Sequence, residues 1–210
     1  MAQRASDASY KLLFSHPEMV SALLSGFIPA SWLKQLNFKS LRLLSGSLVS
    51  YRLRQSHADM VWQIKVPGYD LPLIIHIEFQ RSFDPQMPLR VLGYSVHIVK
   101  SYLRQHRHSG KSKWPPVLSI VLYNGQRPWK ASTNISAHFK PMPATMLKIT
   151  PKHRFHMIDI RRQNRQHLAK LDNILAQLMR FELPDGPDEM GDILLLLKQK
   201  LLTNHPLRRT

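Results

Sequence analysis

The middle of the chain alternates between polar and apolar residues as a β-hairpin does. Residues 59–66 read "DMVWQIKV", the alternation of a half-buried strand. The next four residues, 67–70, are "PGYD", which is strong turn chemistry. The mostly apolar run "LPLIIHIEFQ" follows at 71–80. The pattern therefore predicts two antiparallel strands joined by a short turn.

The apolar residues support one register for this hairpin. With a four-residue turn, one face pairs only apolar residues: Met60 with Ile77, Trp62 with Ile75, and Ile64 with Leu73. A slip of one residue would turn every side chain of one strand over. The same register places Asp59 directly opposite Glu78 on the other face, with Gln80 at the same end of that face.

Helical patterns flank the predicted strands on both sides in sequence, which favours an α/β sandwich. Helices are predicted at 6–16, 17–27 (ended by Gly26), 89–107, 164–182 and 188–202, with a helical turn at 29–36. Further strands are predicted at 115–125, at 154–160, and as one or two strands within 37–51. The proline-rich, basic stretch 126–153 is interpreted as a surface excursion without assigned chemistry.

Charge narrows the class of partner. The 210 residues are enough for one ordinary domain, and 30 Lys plus Arg against 13 Asp plus Glu give a net charge of +17. Such an excess favours a polyanion, most often nucleic acid, over an anionic membrane surface. The chain has no cysteine, which excludes disulfides and thiolate metal sites. No apolar run resembles a signal peptide or membrane span, so we expect a soluble, cytoplasmic protein.

The opposed acids Asp59 and Glu78 raise a chemical question. Like charges directly opposite each other on a sheet destabilise it unless a cation lies between them. Two interpretations follow from the pattern: a divalent-metal site, or a salt bridge to a neighbouring Arg or Lys. Two carboxylates with few other ligands suit Mg²⁺, which keeps several waters and also binds phosphate oxygens.

Asp59, eighteen intervening residues and then Glu78-Phe79-Gln80 resemble the active site of PD-(D/E)XK nucleases. The chain is most similar to the Rpn recombination-promoting nucleases, also described as YhgA-like putative transposases. The segments that carry this resemblance follow in order along nearly the whole chain: "DASYKLLFSHPEMVSALLSGFIP", "HADMVW", "IIHIEFQ", "PLRVLGY", "PPVLSIVLYNGQRPW" and "NRQHLAKL". The resemblance implies a restriction-endonuclease-like mixed sheet flanked by helices over 1–182, followed by a C-terminal helical segment, 183–210.

The resemblance also implies roles for individual residues. Asp59 and Glu78 would bind the metal, Mg²⁺ with Mn²⁺ as a substitute, and the Phe79 carbonyl would add a ligand. Gln80 stands where this fold usually has a lysine. An amide cannot act as a general base, but it can orient a water by hydrogen bonding. Activation of the water would then fall to the metal.

Flanking positions match the family as well. Asp7 and Lys11 match its N-terminal motif, and Asp7 is interpreted either as an outer partner of the metal or as a helix N-cap. Arg90 and Tyr94 lie on one helix face, where Arg90 could bind a phosphate. Tyr94 is interpreted either as part of that element or as core packing. Basic residues of two segments are predicted to contact DNA: Lys100, Arg104, Arg107, Arg161, Arg162 and Arg165.

The leading prediction is a Mg²⁺-dependent DNA endonuclease linked to recombination or mobile elements. The alternative is a non-catalytic nucleic-acid-binding protein that retains the nuclease fold. A transposase performing strand transfer ranks last, because no third acidic residue occupies a supportive position. Cleavage of both strands would imply a homodimer, although the sequence identifies no surface for it. Family members tend to continue beyond a helical end such as this one, so an early stop at "HPLRRT" is a further interpretation.

Overall fold

The computed structural model describes residues 9–44, 60–106, 113–139, 141–171, 173–182, 191, 194–196 and 198–199, without the side chains of residues 181 and 182. The chain forms two compact units, one of residues 35–158 and one of residues 1–34 with 159–210. The expected boundary between residues 182 and 183 stays a prediction. Within the described residues, no helix is long and apolar enough to cross a membrane.

A five-stranded mixed sheet forms the centre of the larger unit, which confirms the predicted fold class. Its strands lie in chain order across the sheet: β1 (Arg42–Leu43), β2 (Met60–Ile64), β3 (Leu73–Gln80), β4 (Val117–Tyr123) and β5 (His156–Asp159). β1, β2 and β3 are antiparallel neighbours, whereas β3 and β4 run parallel. A parallel pair needs a long crossover connection, and a helix supplies it here.

The hairpin register predicted from the sequence is confirmed. β2 and β3 pair Met60 with Ile77, Trp62 with Ile75, and Ile64 with Leu73. The turn between them contains Gly68, whose φ of +80° is a conformation that favours glycine. Trp62 and Ile75 are at most 2% exposed, so this face of the hairpin is core.

Helix α2 (Met87–Gln105) is the crossover, and it covers the other face of the sheet. Two apolar clusters join them. One contains Val61, Ile74, Ile98 and Tyr102, and the other contains Met87, Val91, Val121 and Phe155. The face that carries Glu78 is therefore largely buried under a helix. The helix starts two residues before the predicted position, and Pro88 lies in its first turn, where its missing N–H costs nothing.

The smaller unit is helical. Residues 9–13 are helical and are followed by α1 (Pro17–Phe27), which begins at the predicted proline. The helix has the predicted bounds, and Gly26, which was expected to end it, is its next-to-last residue. A Cβ at Gly26 would come 2.5 Å from the Asn173 amide nitrogen, so the glycine makes room for that side chain.

Three other predictions need adjustment. The helix expected over 164–182 is two helices, α4 (Arg165–Lys170) and α5 (Ile174–Glu182), because Leu171 takes an extended conformation and Asn173 accepts a hydrogen bond from the Ala176 N–H. Of the stretch 37–51 only residues 37–44 are described: there Phe38–Ser40 is a 3-10 helix and β1 has two residues. The excursion 126–153 contains a 3-10 helix, Ile135–Phe139, and helix α3 (Ala144–Leu147).

Candidate functional site

Glu78 is a buried carboxylate near the end of β3. The residue is 2% exposed, although neighbouring Phe79 and Gln80 are half-buried. Its position follows from strand alternation, since residues 74, 76, 78 and 80 share the face covered by α2. Acidic residues are almost never buried to this extent unless they are paired. The structure therefore has to balance this charge.

Arg90 supplies the balancing charge from helix α2. Its Nη2 donates to Glu78 Oε1 at 2.8 Å, and its Nη1 donates to Asp84 Oδ2 at 2.6 Å. Nη2 also lies 3.2 Å from the Tyr94 hydroxyl. Burial alone would lower the pKa of Arg90, but its hydrogen bonds to Asp84 and Tyr94 and the nearby Glu78 charge raise that pKa above its ordinary value. The guanidinium stays charged and holds both carboxylates.

Asp84 is a site residue that the sequence analysis missed. It lies just before helix α2, where its Oδ1 accepts from the Gln86 N–H at 2.8 Å while its Oδ2 faces Arg90. This arrangement ties the start of the helix to the Arg90 side chain. An acid followed by proline before a helix indicates a turn, but no sequence pattern indicated its bond to Arg90.

A second missed feature is a buried polar cluster beside Glu78. His76 is fully buried, and its Nε2 lies 3.6 Å from Glu78 Oε2. Neither ring nitrogen of His76 has a hydrogen-bond partner among the described residues. Its ring packs edge-on against Tyr94, with the ring centroids 5.2 Å apart. The strand alternation that selected Glu78 also places His76 on this face, although the sequence analysis assigned it no role.

The cluster continues through two serines. Ser95 Oγ lies 3.2 Å from Ser119 Oγ on β4 and 3.1 Å from His153 Nε2. Burial lowers the pKa of His153, and the nearby His76 lowers it further. These contacts fix helix α2 to the sheet beneath it, close to the turn of helix that carries Tyr94 and Arg90.

The predicted site residues fall into three groups. Glu78, Arg90 and Tyr94 are brought together, and Tyr94 both packs in the core and contacts Arg90. Gln80 lies on the same strand, where its Nε2 donates to the Ser82 carbonyl at 2.8 Å. Three predicted residues lie outside the described residues: Asp59, Asp7 and Arg107. The role of each in a metal site or at DNA stays a prediction.

The basic residues predicted to contact DNA lie in both units. Lys100 and Arg104 are exposed on α2, where Arg104 donates to Ser101 Oγ at 3.0 Å. In the smaller unit, Arg161 and Arg162 are exposed, and Arg162 pairs with Asp159 at 3.1 Å. Lys11 is exposed, and Arg165 is half-buried. An exposed ion pair such as Arg162 with Asp159 contributes little to stability.

The donor chemistry of the site fits a hard divalent cation. Glu78 and Asp84 each carry one negative charge and Arg90 one positive charge, which leaves about −1 among these three side chains. Carboxylate and amide oxygens, as on Glu78 and Gln80, are ligands that Mg²⁺ accepts. Within the described residues, no three His, Asp or Glu side chains lie close enough together to hold a metal. A complete site therefore needs a further donor.

Asp59 is the donor that the sequence predicts. The described pairing of β2 with β3 ends at Met60 with Ile77, and the predicted pairing of Asp59 with Glu78 lies outside the described residues. The salt bridge that was the main alternative to a metal is present, between Arg90 and Glu78. This salt bridge neutralises only part of the charge of Glu78 and Asp84, so it is compatible both with a metal site and with a salt bridge alone.

The fold and site thus define a mixed α/β protein with a buried carboxylate centre at the end of a hairpin. The chain belongs to the family described as "Putative transposase, YhgA-like", which it matches over residues 4–184. This confirms the family resemblance seen in the sequence. No solved structure matches the chain significantly.

Several Escherichia coli proteins are similar to the chain. It is 28% identical to recombination-promoting nuclease RpnD of strain O157:H7 over 126 residues, which is 59% of this chain and 47% of that protein. Identity to recombination-promoting nuclease RpnA of strain K12 is 28% over 122 residues, or 57% and 39% of the two chains. The chain therefore matches less than half the length of each nuclease.

A third relative is named as inactive. The chain is 29% identical over 93 residues to the putative inactive recombination-promoting nuclease-like protein YjiP of strain K12, covering 44% of this chain and 90% of that protein. The chain is therefore similar both to proteins named as nucleases and to a protein named as putatively inactive, so similarity by itself does not establish catalysis.

Proposed function

We propose that this protein is a Mg²⁺-dependent DNA endonuclease of the PD-(D/E)XK type, linked to recombination. Asp59 and Glu78 would hold the ion, together with the Phe79 carbonyl. The observation that best supports this proposal is the confirmed hairpin register: its last described pair, Met60 with Ile77, directly precedes the buried Glu78 on β3. The names of RpnD and RpnA support the reaction class and the link to recombination.

Gln80 has a suitable position for orienting the attacking water. Its Nε2 already donates to the Ser82 carbonyl, which fixes the amide and leaves Oε1 to accept a hydrogen bond from water. The amide does not take the proton itself. When bound, the metal would lower the pKa of a water and offset charge on the phosphate.

Arg90 would position the catalytic carboxylate. It holds Glu78 from the helix side, and its second contact, to Asp84, limits how far the guanidinium can move. Binding of a phosphate by Arg90 would require it to give up one of these two acids. We therefore assign Arg90 first to the orientation of Glu78 and only second to the substrate.

Cleavage of supercoiled plasmid tests the proposal. With Mg²⁺ or Mn²⁺, the wild-type protein should produce nicked or linear DNA, and Glu78→Gln and Asp59→Asn should each reduce the rate by at least about 100-fold, since transition-state charge stabilisation by a metal contributes several kcal/mol. Both changes keep side-chain size and remove charge. Equal cleavage by wild type and both variants would rule out this metal site.

A second function has its own support: a nucleic-acid-binding protein without catalysis. The Arg90–Glu78 salt bridge already compensates the buried acid, and one relative is named as inactive. Such a protein would bind DNA with strong salt dependence in the absence of metal and would not nick it even with Mn²⁺. The plasmid assay therefore separates the two functions.

A further inference from the structure

The excursion between β4 and β5 forms a basic cleft in the larger unit. The cleft encloses about 600 Å³. Its polar lining residues are Asn134, Ser136, Lys148, Lys152, His153 and Arg154, and we call it the basic cleft. Three of these are Lys or Arg, and no acidic side chain is among the described residues that line the cleft. The sequence analysis assigned this stretch no chemistry.

Backbone hydrogen bonds hold the floor of the basic cleft. Asn134 and Arg154 form an antiparallel bridge, flanked by bonds from the Ile135 N–H to the His153 carbonyl at 3.0 Å and from the Phe155 N–H to the Thr133 carbonyl at 3.3 Å. Ile135 and Phe155 are at most 3% exposed and anchor both segments in the core. The cationic side chains therefore project from a fixed frame.

The wall of the cleft is also well defined. Helix α3 begins after Pro143, whose carbonyl accepts from the Met146 and Leu147 N–H groups at 2.9 and 3.1 Å. The chain then turns at Thr150, whose hydroxyl donates to the Leu147 carbonyl at 2.8 Å. Lys148 precedes this turn and Lys152 follows it, and both line the cleft.

Within the described part of the chain, no acid compensates the positive charges of the cleft. Lys148, Lys152 and Arg154 are exposed, and none of them forms an ion pair with a described residue. Burial, and then the charge of the nearby Arg154, lower the pKa of the adjacent His156. The described contacts of the Asn134 side chain use only its Oδ1, so its NH₂ group can donate to an anion.

Apolar side chains border the same wall. Ile149 is 86% exposed and Met146 is 51% exposed, each next to a cleft residue in the chain. A small free anion gains nothing from such neighbours, whereas a nucleic acid presents sugars and bases beside its phosphates. The combination of charge and exposed apolar surface therefore favours a polymer.

We propose that the basic cleft binds the phosphate backbone of a nucleic acid, with Lys148, Lys152 and Arg154 as the phosphate contacts. This deepens the proposed function, because the nucleic acid held there is the proposed DNA substrate. The contacts are to backbone, so they set the position of the strand without reading its sequence. His153 joins the cleft to Ser95 on α2, the helix that carries Arg90.

A matched pair of double variants tests the cleft. Lys148→Gln with Lys152→Gln removes two charges inside the cleft, and Lys39→Gln with Lys130→Gln removes two charges from exposed positions outside it. Binding to a fluorescent duplex of about 20 base pairs is measured by anisotropy over a range of salt concentrations, in EDTA, so that the result does not depend on catalysis. Thermal melting confirms that all variants fold.

The cleft variant should bind the duplex about tenfold or more weakly, whereas the control should change binding by less than about threefold. The slope of log Kd against log salt concentration should fall by about 0.9 for each phosphate contact that is lost, and therefore by nearly 2 in the cleft variant. Equal weakening by both pairs would overturn the proposal, because it would show an effect of net charge alone. Inorganic phosphate that binds the cleft at submillimolar Kd and leaves the duplex bound would also overturn it.

The two proposals fail in different ways. If plasmid cleavage is absent or does not depend on Glu78, the nuclease proposal fails and the binding result is unaffected. If cleavage depends on Glu78 but the two double variants bind alike, the cleft proposal fails and the nuclease proposal stands.

Discussion

In the candidate site one arginine, Arg90, is hydrogen-bonded to two acids, Glu78 and Asp84. Glu78 could be selected from the sequence because strand alternation and the hairpin register both point to it. Arg90 and Tyr94 could be selected because they are four apart on a helix. Their bonds could not be predicted, since Asp84 reaches Arg90 through the packing of a helix on a sheet rather than through local spacing.

The Arg90 network predicts a stability effect. Arg90→Met keeps much of the side-chain length but leaves a buried carboxylate without its guanidinium, so the free energy of unfolding should fall by about 1–3 kcal/mol. This loss of unfolding free energy is smaller than the loss expected for a fully buried ion pair, because the Arg90 side chain is 36% exposed. Urea denaturation measures this change.

The control for that prediction is Arg104→Met on the same helix. Arg104 is exposed and donates to Ser101, and its replacement should cost less than about 0.5 kcal/mol. Addition of Mg²⁺ should raise the melting temperature of Arg90→Met more than that of the wild type, since the freed acids gain a cation. An Arg90 variant as stable as the Arg104 variant would show that the network is not important for folding.

At the scale of elements, the hairpin was the most predictable part of the chain. Its turn residues, alternation and apolar pairs all agree, which is the consistency that makes a prediction reliable. The prediction of one continuous helix over 164–182 was wrong, because Leu171 and Asn173 interrupt a pattern that is otherwise periodic. The contact of Gly26 with Asn173 could not be predicted, because close packing by a residue distant in sequence leaves no local signal.

Two helical glycines should respond oppositely to alanine. Gly26→Ala would place a methyl group 2.5 Å from the Asn173 amide, which donates to the Ala22 carbonyl at 3.3 Å, so we expect a loss of about 1–2 kcal/mol. Gly93→Ala in α2 meets nothing within 4 Å and should gain up to about 1 kcal/mol from helix propensity. Denaturant unfolding measures both, and equal signs would contradict this account of Gly26.

For the whole molecule, composition predicts a class of partner but no particular surface. A net charge of +17 favours a polyanion but does not locate it, and the basic residues chosen from the sequence lie in both units. The basic cleft escaped prediction because Lys148, Lys152 and Arg154 are spaced irregularly along a loop. The frame that brings them together depends on anchors such as Phe155, which is 1% exposed.

Stability of the whole protein should fall in mildly acidic solution. Burial, and then the nearby His76, lower the pKa of His153 below its ordinary value of 6.5, so the unfolded chain binds a proton more readily than the folded one. Stability is therefore retained above about pH 6.5 and lost as the pH falls below it. His153→Gln removes this difference, and unfolding at pH 7.5 and 5.5 should then differ less than in the wild type. Identical pH dependence of the two proteins would contradict this effect.

The central claim is that Asp59 and Glu78 share one divalent cation, and direct measurement of metal binding tests it most closely. Mn²⁺ titration followed by electron paramagnetic resonance counts bound ions without requiring cleavage. We predict that the wild type binds Mn²⁺ and that Asp59→Asn and Glu78→Gln each weaken this binding at least tenfold, since each removes a charged ligand. Equal Mn²⁺ affinity in all three proteins, or no binding by the folded wild type, would contradict the claim.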